Sequence, residues 1–585
     1  MSSSMEGRSR NIDFLKGISI IVIFMYHFFG EKYFKNGYLG VDVFFVISGF
    51  LLIKGINRKL LKGDFKYFEY IKKKVVRLMP LIVSASIISL VLGYILMLPD
   101  DYENLSESVV ASLFFSNNIL ECITTKNYWN ISNQFKPLMH LWYIGVLMKA
   151  YIIIPIFYII CEKLIRNKNK YKNIYVTIIL SMLSFLLFIF YKGDSSLKFY
   201  LLPFRMFEIT IGGLISFKND SKVYNNSILK LLYIITYIVL IFFLCSNISV
   251  NNNSIMIIII VFLTSVILYY NKDFKNKSLK IITKVGEKSY SIYIWHQIIM
   301  AFIFYSVFYE KNILCFISVL VLTIIFSLIS YRFFEVNNRI LSGGGSMRNI
   351  VIISFAVFMI SLWIYTRSGV VRNVPELDIN VHDIHRHMHS EYCDRPYNWD
   401  SDFDMNNNKI KVLVIGNSYA RDWANILYEY NDTILEISYL FYRNGVLEDN
   451  KSRLENADYI FYAFGPDIGC ELPEDLYEMA DHEKLYIIGN KKYGFSNGII
   501  YAHRKSKYYF SQTVTLDNEL LLENKKNIEL WGEHYIDMIS PIQNNDGTIQ
   551  VFTDNCKFIS QDCSHLTYEG AKYYSRLLNI NKYIK

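Results

Sequence analysis

The sequence predicts a polytopic all-α membrane protein that carries a soluble domain at its C-terminal end. Of 585 residues, 52% are hydrophobic and only 19% are charged, and the mean hydropathy is positive at +0.22. That excludes a disordered chain and is unusual for a soluble protein of this size. Between residues 14 and 366 the apolar residues recur in runs of roughly 17–20 with almost no charge, the length that crosses a bilayer core. From Arg367 onward the chain changes to mixed charge with short strand-like runs, Ile410 to Ile415, Tyr459 to Ala463 and Leu485 to Ile488. This tail is long enough to bury a core of its own.

Eleven spans are expected, at roughly 14–30, 38–54, 80–98, 138–162, 174–191, 200–217, 229–246, 254–270, 289–308, 313–334 and 349–366. The first run leads straight into further spans, so no cleavable signal sequence is expected. Loop charge then sets orientation. The loop 54–79 holds nine Lys and Arg residues from Lys54 to Arg77, and 163–173 and 271–288 are also lysine-rich, which marks them as cytoplasmic. The loop 99–137 holds Asp100, Asp101, Glu103, Glu107 and Glu121 against Lys126 and Lys136, and 247–253 is uncharged; these face outward. With Arg8 and Arg10 holding the N-terminus inside, an odd number of spans delivers the tail to the extracytoplasmic side. The net charge of +9 therefore reports membrane orientation, and nucleic-acid binding is not expected.

Ionisable residues within spans are costly and usually face a cavity or a partner. Lys16 and His27 are eleven residues apart, close to three helical turns, so they share a helix face about 16 Å apart along the axis. Lys16 at the cytoplasmic mouth could hold a phosphate while His27 meets the reacting end of a long anionic ligand. An interfacial lysine and a histidine bonded to a neighbouring helix read the pair equally well. Further along come Gly40 to Phe50 with Asp42, the basic cluster Lys73-Lys74-Val75-Val76-Arg77, His140-Leu141-Trp142-Tyr143, Arg205 with Glu208 one turn on, and Ser289 to His296.

In this order the motifs resemble the acyltransferase family 3 membrane proteins, over about residues 8–340. Asn11 to Gly17 followed by Tyr26-His27 is similar to the family's first motif, and Tyr331-Arg332-Phe333-Phe334-Glu335 closes the module as the family does. The resemblance implies Lys16 as a binder of an acyl-CoA donor and His27 as the catalytic base. Lys74 and Arg77 stand where many members have an Arg-x-x-Arg pair, and they keep the charge while losing one bidentate phosphate donor. Leu147-Met148-Lys149 replaces a Glu-Glu-Gln run after the His140 motif, so no catalytic carboxylate is assigned there.

In the tail, Val412 to Ile415 ends in Gly416-Asn417-Ser418-Tyr419, a small-residue turn that exposes a serine hydroxyl beside backbone N–H groups at a sheet edge. Asp562 and His565, three apart before a helical stretch, can present imidazole to that serine. The two motifs together resemble the SGNH hydrolase/esterase family over about residues 409–585. That resemblance implies Ser418 as nucleophile, His565 as base and Asp562 as its orienter, on a three-layer α/β fold with a parallel sheet. Gly445 and Asn490 are possible oxyanion-hole matches, explained as well by a turn glycine and a polar loop end. The expected domains are 1–340, a last span and linker over 341–408, and 409–585.

Four cysteines, Cys393, Cys470, Cys556 and Cys563, fall in the tail. Cys556 and Cys563 are close enough to close a small loop, and buried free thiols are the alternative. His382, His385, His387 and His389 could bind a divalent metal, yet only Asp383 accompanies them; a solvated linker is favoured and no metal is expected. A donor-binding membrane module joined to an esterase-like tail resembles bacterial cell-envelope O-acetyltransferases, including those acting on peptidoglycan and lipopolysaccharide. The resemblance implies a multi-pass protein of the cytoplasmic membrane that takes acetyl from acetyl-CoA and delivers it to a hydroxyl of an envelope polysaccharide. The competing expectation is a transporter of a lipid-linked sugar fused to an external acetylesterase.

Overall fold

The computed structural model describes residues 9–124, 131–164, 172–218, 227–248, 253–270, 279–306, 311–336, 344–379, 390–463, 465, 472–494, 496–516 and 518–584. Arg8, Lys126, Cys470, Asp383 and the four histidines of 382–389 lie outside the described residues. The chain forms two compact units: Met1–Leu96 with Asn104–Trp363, and Met97–Glu103 with Ile364–Lys585.

In the first unit a helix occupies each expected span: α1 (Arg10–Phe29), α2 (Gly40–Leu61), α3 (Tyr67–Leu96), α4 (Trp142–Leu164), α5 (Lys172–Phe190), α6 (Leu202–Ile215), α7 (Ser227–Cys245), α8 (Asn253–Tyr270), α9 (Ser289–Ser306), α10 (Ile313–Ser330) and α11 (Gly344–Thr366). Among the described residues eight of these are long and apolar enough to cross a membrane, and α8 is a shorter apolar helix. The other two carry buried polar side chains: α6 has only 14 residues and includes Arg205 and Glu208, and α9 carries Ser289, Ser291, His296 and Gln297.

Burial follows the logic of lipid as solvent. On α10, Cys315, Val319, Thr323, Ser327 and Ser330 are buried, whereas Ile317, Val321, Ile324, Ile325 and Leu328 are exposed. Steps of three and four put the small and hydroxyl side chains on one face and the large aliphatic ones on the other. Small residues at helix contacts let backbones approach, and hydrocarbon outside accepts the aliphatic face. One such close approach is between α2 and α6. A Cβ on Gly49 would sit 1.8 Å from the Ile209 carbonyl oxygen, and one on Gly212 2.0 Å from that of Val46.

The second unit is built on a parallel sheet. Its strands are β1 (Ile410–Gly416), β2 (Leu435–Phe441), β3 (Tyr459–Ala463), β4 (Leu485–Ile488), β5 (Thr513–Thr515), β6 (Tyr535–Ile536) and β7 (Thr548–Gln550). The parallel sheet has the order β2-β1-β3-β4-β6, and β5 pairs antiparallel with β7. Alternation along β1 sends Val412 and Val414 into one core and Leu413 and Ile415 into another, as a strand covered on both faces requires. The first core contains α12 (Ser418–Asn431) and α16 (Tyr568–Leu577); the second contains α13 (Val446–Asp449), α14 (Lys451–Asn456) and α15 (Glu474–Met479). Helices on both faces of a parallel sheet make three layers.

Residues Met97–Glu103, which follow α3, also belong to this second unit. Leu98 packs with Val374 and Ile379, and Arg372 donates to the Met97 carbonyl at 2.8 Å. Cys556 is exposed, Cys563 and Cys393 are buried, and all three are free thiols. The small ring left open by the sequence is therefore not formed.

Candidate functional site

Two constellations hold the residues singled out by the sequence, one in each unit. In the helical unit Lys16 of α1 and Lys74 and Arg77 of α3 line one cavity of about 140 Å³, together with Ser48, Tyr143, Tyr151, Tyr290 and Tyr293. Three cations from two helices and a ring of phenols make a pocket suited to an anionic ligand with an apolar stem. Lys74 is held over the Tyr151 ring at 4.1 Å, and Lys16 lies 4.0 Å from the Asp13 carboxylate. Tyr143 and Ser48 share a hydrogen bond of 3.1 Å, and Tyr290 donates to the Leu78 carbonyl at 2.7 Å, so the polar wall is built by α2, α3, α4 and α9 together.

His27 is not part of that lining. Its ring lies 5.3 Å from His296 of α9, and the His296 ring lies 5.3 Å from His140. Tyr293 connects the two places: it lines the cavity, donates to the His140 carbonyl at 2.5 Å, and sits 5.2 Å from the His140 ring and 5.6 Å from that of His296. The sequence motifs containing His140 and His296 carried this signal without showing that they meet His27. Backbone carbonyls fix both rings. His296 Nδ1 faces the Tyr293 carbonyl at 2.7 Å and His140 Nε2 that of Ile294 at 3.1 Å. A carbonyl can only accept, so those nitrogens carry the protons and His296 Nε2 and His140 Nδ1 are left as bare acceptors, both buried without a partner among the described residues.

Near the same helices, Arg205 holds two carboxylates, Asp42 of α2 and Glu208 of α6, each at 2.8 Å from Nη1. Arg205 and Glu208 were legible as one turn of a helix; Asp42 joins them only because α2 and α6 touch. Lys149 donates to the Phe115 carbonyl at 2.9 Å and so ties α4 to the segment that precedes it.

In the second unit β1 delivers the turn that carries Ser418. Gly416 has φ +143, and a Cβ there would lie 1.8 Å from the Ala463 carbonyl oxygen, so the strand can end beside β3 only with glycine. Asn417 caps α12 by accepting the Tyr419 N–H at 3.0 Å, which leaves Ser418, half-buried, as the first helical residue. Gly465, just past β3, closes on this turn: a Cβ there would meet Tyr419 at 2.9 Å and the Asn417 side-chain nitrogen at 3.1 Å. Gly445 caps α13 in open space with φ +82, and Asn490 is buried and donates to Glu523 at 3.4 Å.

Asp562 accepts the backbone N–H groups of Ser564 at 2.9 Å and His565 at 2.7 Å on one oxygen, and faces His565 Nδ1 at 2.5 Å with the other. This fixes the proton on Nδ1 and leaves Nε2 bare; Nε2 is buried with no partner among the described residues. The His565 ring lies 5.7 Å from that of Tyr419, the residue after Ser418, and the Leu566 N–H reaches Asp422 of α12 at 3.2 Å. The Asp562–His565 loop thus sits against the first turn of α12. Burial works to lower the proton affinity of His565, but the hydrogen bond it donates to Asp562 and the charges of Asp422 and Asp562 outweigh it and hold the imidazole above its ordinary 6.5. Burial works to raise Asp562, and the His565 hydrogen bond and charge leave it lowered from 3.8. His565 Nε2 makes no hydrogen bond to Ser418 here; what the structure brings together is the imidazole's loop and the helix that Ser418 starts, the pairing that nucleophilic acyl chemistry uses.

Among the described residues no group of three or more His, Cys, Asp or Glu side chains has the geometry to hold a metal ion.

Residues 9–332, more than half of the chain, match the acyltransferase domain family. A protein of Staphylococcus aureus (strain COL) named "Putative O-acetyltransferase" is 27% identical over 353 residues, covering 55% of this chain and 56% of that protein. O-acetyltransferase OatA of Staphylococcus aureus (strain NCTC 8325 / PS 47) is 26% identical over 350 residues, with the same coverage. The matched region spans about half the length of these curated relatives. No solved structure matches the chain. With the helical unit, its ionisable motifs and this match in agreement, the chain belongs to the acyltransferase domain family.

Proposed function

We propose that the protein is a membrane O-acetyltransferase that takes acetyl from cytoplasmic acetyl-CoA and delivers it to a hydroxyl of an extracytoplasmic cell-envelope glycan. The observation that carries this reading is the single cavity lined by Lys16, Lys74 and Arg77. CoA presents phosphates at one end and an acyl thioester at the other, and these three cations would bind the phosphates. His27 would take the proton of the attacking group as the thioester C–S bond breaks and CoA leaves as the thiol. In the tail, Ser418 Oγ would attack the acetyl carbonyl of the group acylated in the helical unit: as the new C–O bond forms, the acetyl bond to that carrier group breaks, and His565 takes the serine proton and passes it to the departing carrier. The glycan hydroxyl would then attack the acyl-serine and give its proton to His565, which returns it to Ser418 Oγ as the serine ester bond breaks, with Asp562 orienting the imidazole throughout. The tail of this reading is an SGNH-type esterase fold working as a transferase.

An extracytoplasmic tail is supported by one argument in two steps. The acidic charge of the segment after α3 favours the outer side for it, and residues Met97–Glu103 of that segment fold into the same unit as the tail. This support does not depend on counting eleven spans, which is also part of the proposal. The test is acetyl-CoA labelled in its acetyl group and supplied to the cytoplasmic face of proteoliposomes. Label on Ser418 or on an added envelope polysaccharide outside supports transfer. A protein that only releases acetate from acetylated glycans is instead an external acetylesterase.

A further inference from the structure

Lys491, on the segment after β4, is 4% exposed, and Asp422, one turn beyond Ser418 on α12, is 1% exposed. Their charged atoms lie 2.6 Å apart. A buried ion pair is a poor way to gain stability, since apolar side chains of equal volume do as well or better. Its position offers another reason. The Asp422 carboxylate reaches Lys491 with one oxygen and accepts the N–H of Leu566, the residue after His565, with the other. Lys491 lies 4.5 Å from the Tyr419 ring centroid, and that ring is 5.7 Å from His565. The pair is thus wedged between the nucleophile's helix and the histidine's loop.

We propose that the Asp422–Lys491 ion pair is a positioning device that holds the His565 loop against the first turn of α12. This rests on the reading of Ser418 as a nucleophile served by His565. The groups around His565 are Asp562 from its own loop, Asp422 and Tyr419 from α12, Lys491 after β4, and the Cys393 thiol that donates to the Leu566 carbonyl at 3.5 Å. Asp422 raises the proton affinity of His565 and Lys491 lowers it, with Asp422 the larger of the two. The two members of one pair therefore act on the same proton with opposite sign.

That opposition is the test. A fluorophosphonate reacts with an activated serine when Oγ bonds to phosphorus, fluoride leaves and the imidazole takes the hydroxyl proton, so the labelling rate rises as His565 deprotonates. The full chain in detergent micelles is titrated across pH with this probe, with Ser418→Ala as the control for the labelled residue. Asp422→Asn keeps an acceptor for the Leu566 N–H and moves the midpoint down by about half a pH unit or more; Lys491→Met moves it up by a smaller amount. Lys491→Arg, which keeps the charge, restores it. The double variant Asp422→Asn/Lys491→Gln leaves no unpaired buried charge, so it folds where a single variant fails, and its midpoint falls below wild type but above Asp422→Asn. Midpoints that stay at wild type, or that move the same way in both single variants, overturn the proposal and leave the pair as packing. A wild-type chain whose labelling at every pH is no greater than that of Ser418→Ala overturns instead the nucleophile reading on which it rests.

Discussion

In the proposed mechanism Ser418, His565 and Asp562 separate nucleophile, base and orienter into three single-residue tests. Ser418→Ala removes one oxygen at a half-buried helix start, so it abolishes transfer to the glycan while the helical unit still releases CoA; full acceptor acetylation by this variant would exclude the acyl-serine step. His565→Ala lowers transfer by about 10³-fold or more, and Asp562→Asn costs less, because it disturbs tautomer and orientation without removing the base. The pH dependence follows from the same pair. His565, held above 6.5, stabilises the tail fully below that value, and the contribution is lost as pH rises through its raised folded value. Asp562, held below 3.8, contributes fully above that value, and its share is lost as pH falls through its lowered folded value. Both contributions are complete between 3.8 and 6.5, yet the chemistry needs neutral His565. The acid limb of transfer therefore has its midpoint above 6.5, on the alkaline side of the window in which the pair stabilises most; a pH–rate profile beside a pH series of melting temperatures checks both signs. In the helical unit, Lys16→Ala raises the apparent donor constant with a near-normal maximal rate, Lys16→Arg is tolerated better, and His27→Ala gives no turnover at any donor concentration. Residual transfer by His27→Ala at high donor would make His27 structural and move the base to His140 or His296.

At the scale of elements, helix contacts and strand ends decide where these side chains go. Gly49 of α2 and Gly212 of α6 bring two backbones into contact, and that contact joins Asp42 to Arg205 and Glu208. Gly49→Ala places a Cβ against a carbonyl that cannot swing away, so the helices must separate and the guanidinium bridge is strained. Gly55→Ala, on the same helix with nothing within 4 Å of the added Cβ, is its control. The expected result is a clear fall in the detergent melting temperature for Gly49→Ala and none for Gly55→Ala. Gly416→Ala combines a forbidden φ with a clash against β3 and costs about 1–3 kcal/mol or more, read as loss of serine labelling together with a lowered melting temperature.

The whole molecule consists of two compact units, and in the proposed function the direction of acetyl flow depends on which side of the membrane each faces. Met97–Glu103 gives a handle on this, because the segment leaving α3 is folded into the unit that contains the tail. A chain whose only cysteine is the exposed Cys556 is expected to react with a membrane-impermeant maleimide in intact spheroplasts, without permeabilisation. Labelling only after permeabilisation would place the tail in the cytoplasm and end the proposal of outward transfer.

Local signals were sufficient for much of this. Apolar runs located α1 to α11, although the 15-residue helix Pro99–Leu113 lies in what the sequence read as a loop; the Val412 to Ile415 run and its Gly-Asn-Ser turn located β1 and the start of α12, and the three-residue spacing of Asp562 and His565 located their hydrogen bond, because each depends on neighbours within a few positions. Lys16, Lys74 and Arg77 were legible as individual cations, but their common cavity required α1 and α3 to pack. The meeting of His27 with His296 and His140, the Asp42–Arg205 bridge, the approach of Gly465 to the Ser418 turn, and the Asp422–Lys491 pair join residues far apart in the chain. Periodicity and spacing record only which face of its own element a residue occupies. Which faces then meet is set by packing between elements, and only the tertiary structure carries that.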